Sequence, residues 1–180
     1  PLVVGTLGFL QMRKNSHLFF QLAATLSEWI RSGAVAFHTA GKCAEEVRTY
    51  NRNGWVIMHQ PDQLLSQGDL ERIAANFDLA VFFHDDTAYR YSASGAIHEA
   101  LRLGIPVLAL RNSYFGWLVQ KHGKIMLLFD DPEQISGFIR EVIMGRHKGE
   151  LEELRKNLYR FQQENTLLNQ CTTLKTILTY

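Results

Sequence analysis

The chain has 180 residues, 46% of them hydrophobic and 21% charged, with a formal net charge of +1. That length fits one domain with a substantial core, and the near-neutral balance argues against broad electrostatic binding to nucleic acid. Two cysteines, Cys43 and Cys171, make no disulfide framework and fit a reducing, cytoplasmic compartment; no apolar run approaches the roughly 20 residues that span a bilayer, no secretory signal is visible, and peripheral membrane contact stays open.

Taken in order, residues 2–9 read as a strand and 16–31 as an amphipathic helix ending near Gly33. A second strand at 34–39 leads to a charged helix at 42–53, stopped by Gly54. Residues 55–59 form a third strand, 69–77 a helix and 78–84 a fourth strand. A helix from about Gly95 leads to a strand at 106–110, then a helix at 114–121, a strand at 124–129 and a helix at 132–144. Strands separated by helical patterns of this length predict βαβ units. The expected fold is α/β: a doubly wound, Rossmann-like parallel sheet of about six strands in the order 3-2-1-4-5-6, with helices on both faces.

The stretch 150–180 breaks the alternation, because no strand follows it. Leu151, Leu154, Leu158 and Phe161 recur at heptad-like spacing, with Asn165 at the next expected apolar position. It reads as a long C-terminal helix packed on the domain or on another domain, or as a dimerising helix whose Asn sets register. The expected organisation is a Rossmann-like domain over 1–148 and a helical extension over 149–180, together a piece of a longer protein. Oligomeric state stays open.

Residues 89–110, YRYSASGAIHEALRLGIPVLAL, hold the most chemistry. Ser92, Ala93, Ser94 and Gly95 let the backbone come close to a ligand. The helix that follows aims its free N–H groups and the positive end of its dipole at that ligand, an arrangement that suits phosphate. In the order 3-2-1-4-5-6, strands one and four are neighbours, and ligands bind outside their carboxyl ends. The loop after strand one (residues 8–15, with Arg13 and Lys14) and the loop after strand four (84–94) therefore face one crevice. Together they suit a diphosphate. Arg13 and Lys14 also read as a solvated pair ahead of a helix.

Ser94-Gly95, Glu99-Ala100 and Gly104-Ile105-Pro106-Val107 resemble the S-G…E-A…G-x-P-V signature in the C-terminal, donor-binding domain of GT-B glycosyltransferases. Val4-Gly5-Thr6-Leu7-Gly8 through Lys14 resembles that domain's first strand and lysine loop, and Asp78-Leu79-Ala80-Val81 its D-L-x-V strand. The resemblance covers roughly residues 2–145. It implies a nucleotide-sugar donor site in a glycosyltransferase, hexosyltransferase-like and of the retaining type, with a UDP-, GDP- or similar donor as substrate and no cofactor. In that reading Glu99 accepts bonds from the ribose hydroxyls. Lys14, with Arg13 and Gly8 in the same loop, neutralises the diphosphate. The N–H groups of Ser94, Gly95 and Ala96 hold the distal phosphate. The base sits near His59 and Gln60, and Tyr89 and Tyr91 line the base or sugar pocket. The acceptor is held mainly by a missing N-terminal domain, so this chain is half of the catalytic unit, and no residue receives a catalytic role.

Two positions depart from the family pattern. Many retaining members carry a second glutamate eight residues before the one matching Glu99, where this chain has Tyr91. They often carry arginine after the glycine matching Gly8, where this chain has Phe9. These departures motivate an alternative, a non-catalytic GT-B-like module that kept the fold; a sugar-nucleotide epimerase of the same architecture is another. His84-Asp85-Asp86 ends a strand on the ligand side, but adjacent carboxylates point apart in extended chain, and no metal is expected. The seven histidines show no zinc-ligand spacing backed by cysteine pairs. There is no G-x-G-x-x-G and no G-x-x-x-x-G-K-[ST], which counts against a dinucleotide dehydrogenase and a P-loop enzyme.

Overall fold

Short apolar runs become parallel strands. The structure, a computed structural model, describes residues 1–89 and 95–165. Strands β1 (Leu2–Leu7), β2 (Val35–Ala40), β3 (Val56–His59), β4 (Leu79–Phe82), β5 (Val107–Leu110) and β6 (Leu127–Phe129) form one sheet in the order β3-β2-β1-β4-β5-β6. Every pairing is parallel, with Gly5 opposite His38 on one side and Ala80 on the other. The expected doubly wound order is thus the observed one. All four residues of β4 are buried, as a central parallel strand covered on both faces requires.

Helices α1 (His17–Thr25), α2 (Ser27–Arg31), α3 (Glu45–Arg48), α4 (Gln67–Ala74), α5 (Asp86–Tyr89), α6 (Gly95–Arg102), α7 (Ser113–His122), α8 (Pro132–Ile143) and α9 (Lys148–Glu164) complete the described chain. Neighbouring residues of β2 assign the faces. Phe37 meets Phe19 of α1 at 5.5 Å between ring centroids, whereas His38 meets Phe77, just after α4, at 6.3 Å. Successive side chains leave a strand on opposite faces, so α1 and α4 lie on opposite sides. α8 packs against α1, and α6 joins α4 through ion pairs. This is the distribution right-handed crossovers give when the chain winds outward both ways from β1.

Helix starts follow their capping residues. Ser66 Oγ accepts the Asp69 N–H at 3.1 Å, Asn112 Oδ1 that of Phe115 at 2.8 Å, and Asp131 Oδ1 that of Gln134 at 2.8 Å ahead of Pro132. Asp78 fastens β4 to β1: its carboxylate accepts the Val3 N–H at 2.8 Å, and its own N–H donates to Val3 O at 2.8 Å. Gly5 clears the way for Phe77, since a Cβ there would fall 2.0 Å from the ring.

Three local expectations change. The helix expected over 16–31 divides at Leu26 into α1 and α2. The one expected over 42–53 shrinks to α3 and a 3-10 turn at Thr49–Asn51. There the chain stays extended because Leu10 bridges Cys43 and the Cys43 N–H donates to Pro61 O at 2.8 Å. α5, after β4, was not expected. In α9, Leu151, Leu154 and Leu158 are buried against the domain, and Asn157 Nδ2 and Gln162 Nε2 donate to the carbonyls of Lys124 and Arg102. Asn165 is exposed in the single chain and donates from Nδ2 to Phe161 O at 2.8 Å.

Candidate functional site

The carboxyl ends of β1 and β4 meet at one crevice, and glycines let three segments converge there. Gly8 has φ +88°, and a Cβ on it would lie 3.0 Å from the Ala96 Cβ in the first turn of α6. Gly41, after β2, has φ +140°, and a Cβ there would lie 2.3 Å from Gly8 O. The loop after β1 is thus wedged between the start of the β2–α3 connection and α6. Gly95 and Ala96 open α6, whose eight residues run back from the crevice. Tyr91 and Ser94 lie outside the described residues, as does the side chain of Tyr89.

Beyond Phe9, whose ring lies 5.5 Å from Lys42 Nζ, the loop forms a 3-10 turn at Met12–Lys14. Arg13 is exposed and Lys14 half-buried. Burial, and then the neighbouring Arg13, pulls Lys14 below the usual lysine range. No carboxylate pairs with it among the described residues. A partly buried cation without an ion partner is unfavourable unless a ligand supplies the anion, and such groups mark functional sites. Lys14 in turn acts on His84, buried at the end of β4. Burial first, and then Lys14, push that imidazole down to about 4 against the opposing effect of Asp85. His84 is neutral at pH 7 and adds no second charge.

The acids beside His84 have structural partners. Asp85 accepts from Asn15 Nδ2 at 3.0 Å and from the Thr87 N–H at 3.0 Å. Asp86 accepts from the Ser113 N–H at 2.7 Å and its hydroxyl at 3.1 Å, fixing the start of α7. Among the described residues no group of three His, Cys, Asp or Glu could hold a metal ion.

Glu99, on α6, faces α4. Its carboxylate accepts from Gln67 Nε2 at 2.7 Å and from Arg102 at 2.6 and 3.1 Å, and Arg102 also pairs with Glu71. The Arg102 bond, helped by Gln67 and opposed by burial, holds Glu99 below the ordinary glutamate range. An ionised carboxylate has about four lone-pair positions, and three bonds already use Glu99. A ribose diol therefore has to share with or displace Gln67 or Arg102. Gln67 and Asn15 escaped the sequence reading. For Gln67 the available signal was the Ser66 cap with Asp69 three residues on.

His59 and Gln60 line a cavity whose lining does not include Glu99. His59 Nε2 meets His38 Nδ1 at 2.9 Å, with the rings stacked at 5.2 Å, and both line this cavity of about 360 Å³ against Arg72 and Asn76. Roomier cavities lie elsewhere. One of about 460 Å³ separates α1 from α8, and one of about 730 Å³ lies among α6, α7 and α9; neither is lined by Lys14 or Glu99. Cavity size therefore does not single out the crevice.

The sequence matches no protein-family model and no curated protein. Solved structures do match. HepE from Anabaena in complex with UDP-glucose superposes with a TM-score of 0.72 at 18% identity, over 99% of this chain and 49% of that one. The C-terminal domain of the glycosyl transferase group 1 family protein LpcC from Francisella tularensis gives 0.62 at 13% identity, over 91% of this chain and 85% of that one. The GtfA/B complex gives 0.66 at 18% identity, and this chain spans 99% of itself but only 36% of that chain. With the strand order, the lysine loop and the α6 start in place, the chain has the fold of the C-terminal domain of GT-B glycosyltransferases.

Proposed function

We propose that the chain is the nucleotide-sugar donor domain of a glycosyltransferase that moves a sugar from a nucleoside diphosphate to an acceptor held mainly by another domain. The observation that carries this reading is Lys14, half-buried without a carboxylate partner among the described residues, in the loop that touches the first turn of α6. A diphosphate here meets one half-buried cation (Lys14), one exposed cation (Arg13), and the N–H groups of Gly95 and Ala96. Charge building on the leaving diphosphate is thereby offset before it forms, the arrangement that lowers such barriers most. Ser94 joins this set from the sequence. Glu99 takes the ribose with Gln67 beside it, and the base lies toward the start of α4 and the 60–66 loop. The acceptor half comes from outside these 180 residues, so the isolated chain binds donor and turns over little. HepE was crystallised with UDP-glucose, which makes a uridine donor the first to try.

The test is calorimetric titration of the domain with UDP, GDP, ADP and dTDP, repeated with Lys14→Ala and Glu99→Ala. Binding of one nucleotide, weakened about tenfold or more by Lys14→Ala and also by Glu99→Ala, is the expected result. A well-folded sample that binds none of the four would overturn the reading in favour of a module that kept the fold without the site.

A further inference from the structure

Asn15 follows Lys14 and ends its 3-10 turn, with φ +54° and an N–H that donates to Met12 O at 2.9 Å. Left-handed backbone is unfavourable for most residues and tolerated by asparagine. The side-chain amide has two N–H donors; one goes to Phe83 O at 3.2 Å and the other to Asp85 Oδ2 at 3.0 Å. These bonds join residues 68 and 70 positions apart, on the two rims of the crevice. We propose that Asn15 is a positioning residue: it latches the lysine loop to the end of β4 and so holds Lys14 at the diphosphate position.

The need for a latch follows from Lys14 itself. A long cationic side chain without an ion pair gains hydration by swinging outward. No salt bridge opposes that here among the described residues, so the restraint has to come from the backbone that carries Lys14. Ser16 Oγ, which accepts the Gln11 N–H at 3.1 Å, closes the loop on itself. Among the described residues, the side-chain bonds that tie it to the far rim at the Lys14 end are those of Asn15. The chemistry of the latch matters as well. The tie is made by a neutral amide, so it brings no countercharge to Lys14, and the positive charge stays available to a phosphate.

The ligand in this inference rests on the donor-site reading, whereas the latch rests on the hydrogen bonds alone, and the experiment separates the two. Asn15→Gly suits φ +54° and removes both side-chain bonds. The first readout is UDP affinity by calorimetry, in wild type, Asn15→Gly, Lys14→Ala and the double variant. The expected result is a loss of about tenfold from Asn15→Gly in the wild-type background and under about twofold once Lys14 is alanine. The second readout needs no ligand: Lys14, labelled by reductive methylation with carbon-13, is titrated by NMR. Its pKa should move up toward the ordinary lysine range in Asn15→Gly, as the freed ammonium reaches water. Equal affinity losses in both backgrounds, or a Lys14 titration unmoved by Asn15→Gly, would refute the latch. If wild type binds no UDP, the titration alone decides the latch, and the donor reading falls only if GDP, ADP and dTDP fail to bind as well.

Discussion

Replacing Gly41 by alanine tests how tightly the loops around the crevice are wedged. The residue has φ +140°, a region almost reserved for glycine, and a Cβ there would lie 2.3 Å from Gly8 O and 2.8 Å from Gly8 C. Both obstacles are backbone, so no rotamer change relieves them. Gly33 is the internal control, with φ +74° and nothing within 4 Å of a Cβ. Gly33→Ala therefore measures the backbone conformation alone, about 1 kcal/mol. Gly41→Ala adds displacement of the β1 loop, for a total of about 3 kcal/mol. For a domain of this size that corresponds to a melting temperature lowered by roughly 6–12 °C, against roughly 2–4 °C for Gly33→Ala. Circular dichroism melts of the three proteins at one pH give the answer. The functional consequence follows from the same contact: Gly8 is pushed toward Ala96 and the anion position narrows. If Gly41→Ala melts within about 2 °C of Gly33→Ala, the loops are not wedged and the argument from close approach fails.

Three further outcomes are expected. Glu99 is held below the ordinary glutamate value of 4.5, chiefly by Arg102, so its contribution to stability is complete above that pH and is lost as pH falls through the lowered pKa; Arg102→Ala should flatten the acid limb of a melting-temperature profile, and an unchanged limb would count against the pair. His147 is raised above 6.5 by its bond to Glu141 and then by Glu150, with burial opposing. Its contribution is complete below 6.5 and disappears as pH rises through the raised value, so His147→Gln should melt with less dependence on pH between 6 and 9; a parallel profile would remove His147 from the account. The buried Cys43 thiol is pushed up to about 11, mainly by burial. At pH 8 roughly one molecule in a thousand then carries the thiolate, so in a Cys171→Ser background native protein should resist iodoacetamide until denaturant is added.

The fold was legible because its signals are local and repeated. Unbroken apolar runs such as 79–82 belong to strands buried on both faces, and crossover handedness leaves few ways to order such strands. Ser66, Asn112 and Asp131 mark helix starts because a cap needs only its own next three residues. Helix ends were less legible where tertiary contacts override propensity: 42–44 carry residues that could be helical, yet bonds to Leu10 and Pro61 hold them extended.

At the site, the sequence by itself determined which segments share one end of the sheet, the loop after β1 with Gly8, Arg13 and Lys14 and the start of α6 with Gly95, Ala96 and Glu99, because strand order dictates which loops lie side by side. Only the tertiary structure decided what those residues touch. Asn15 finds Phe83 O and Asp85 across the crevice, Glu99 finds Gln67 on α4, and His59 turns to His38. Nothing in the local sequence distinguishes one polar partner from another at such separations. The choice depends on ångström-scale spacing between rigid elements, which the packing of Phe77 over Gly5 and the contact of Gly41 with Gly8 establish. Hydrogen bonds have that short a range; the hydrophobic patterning that assembles the sheet tolerates far coarser placement.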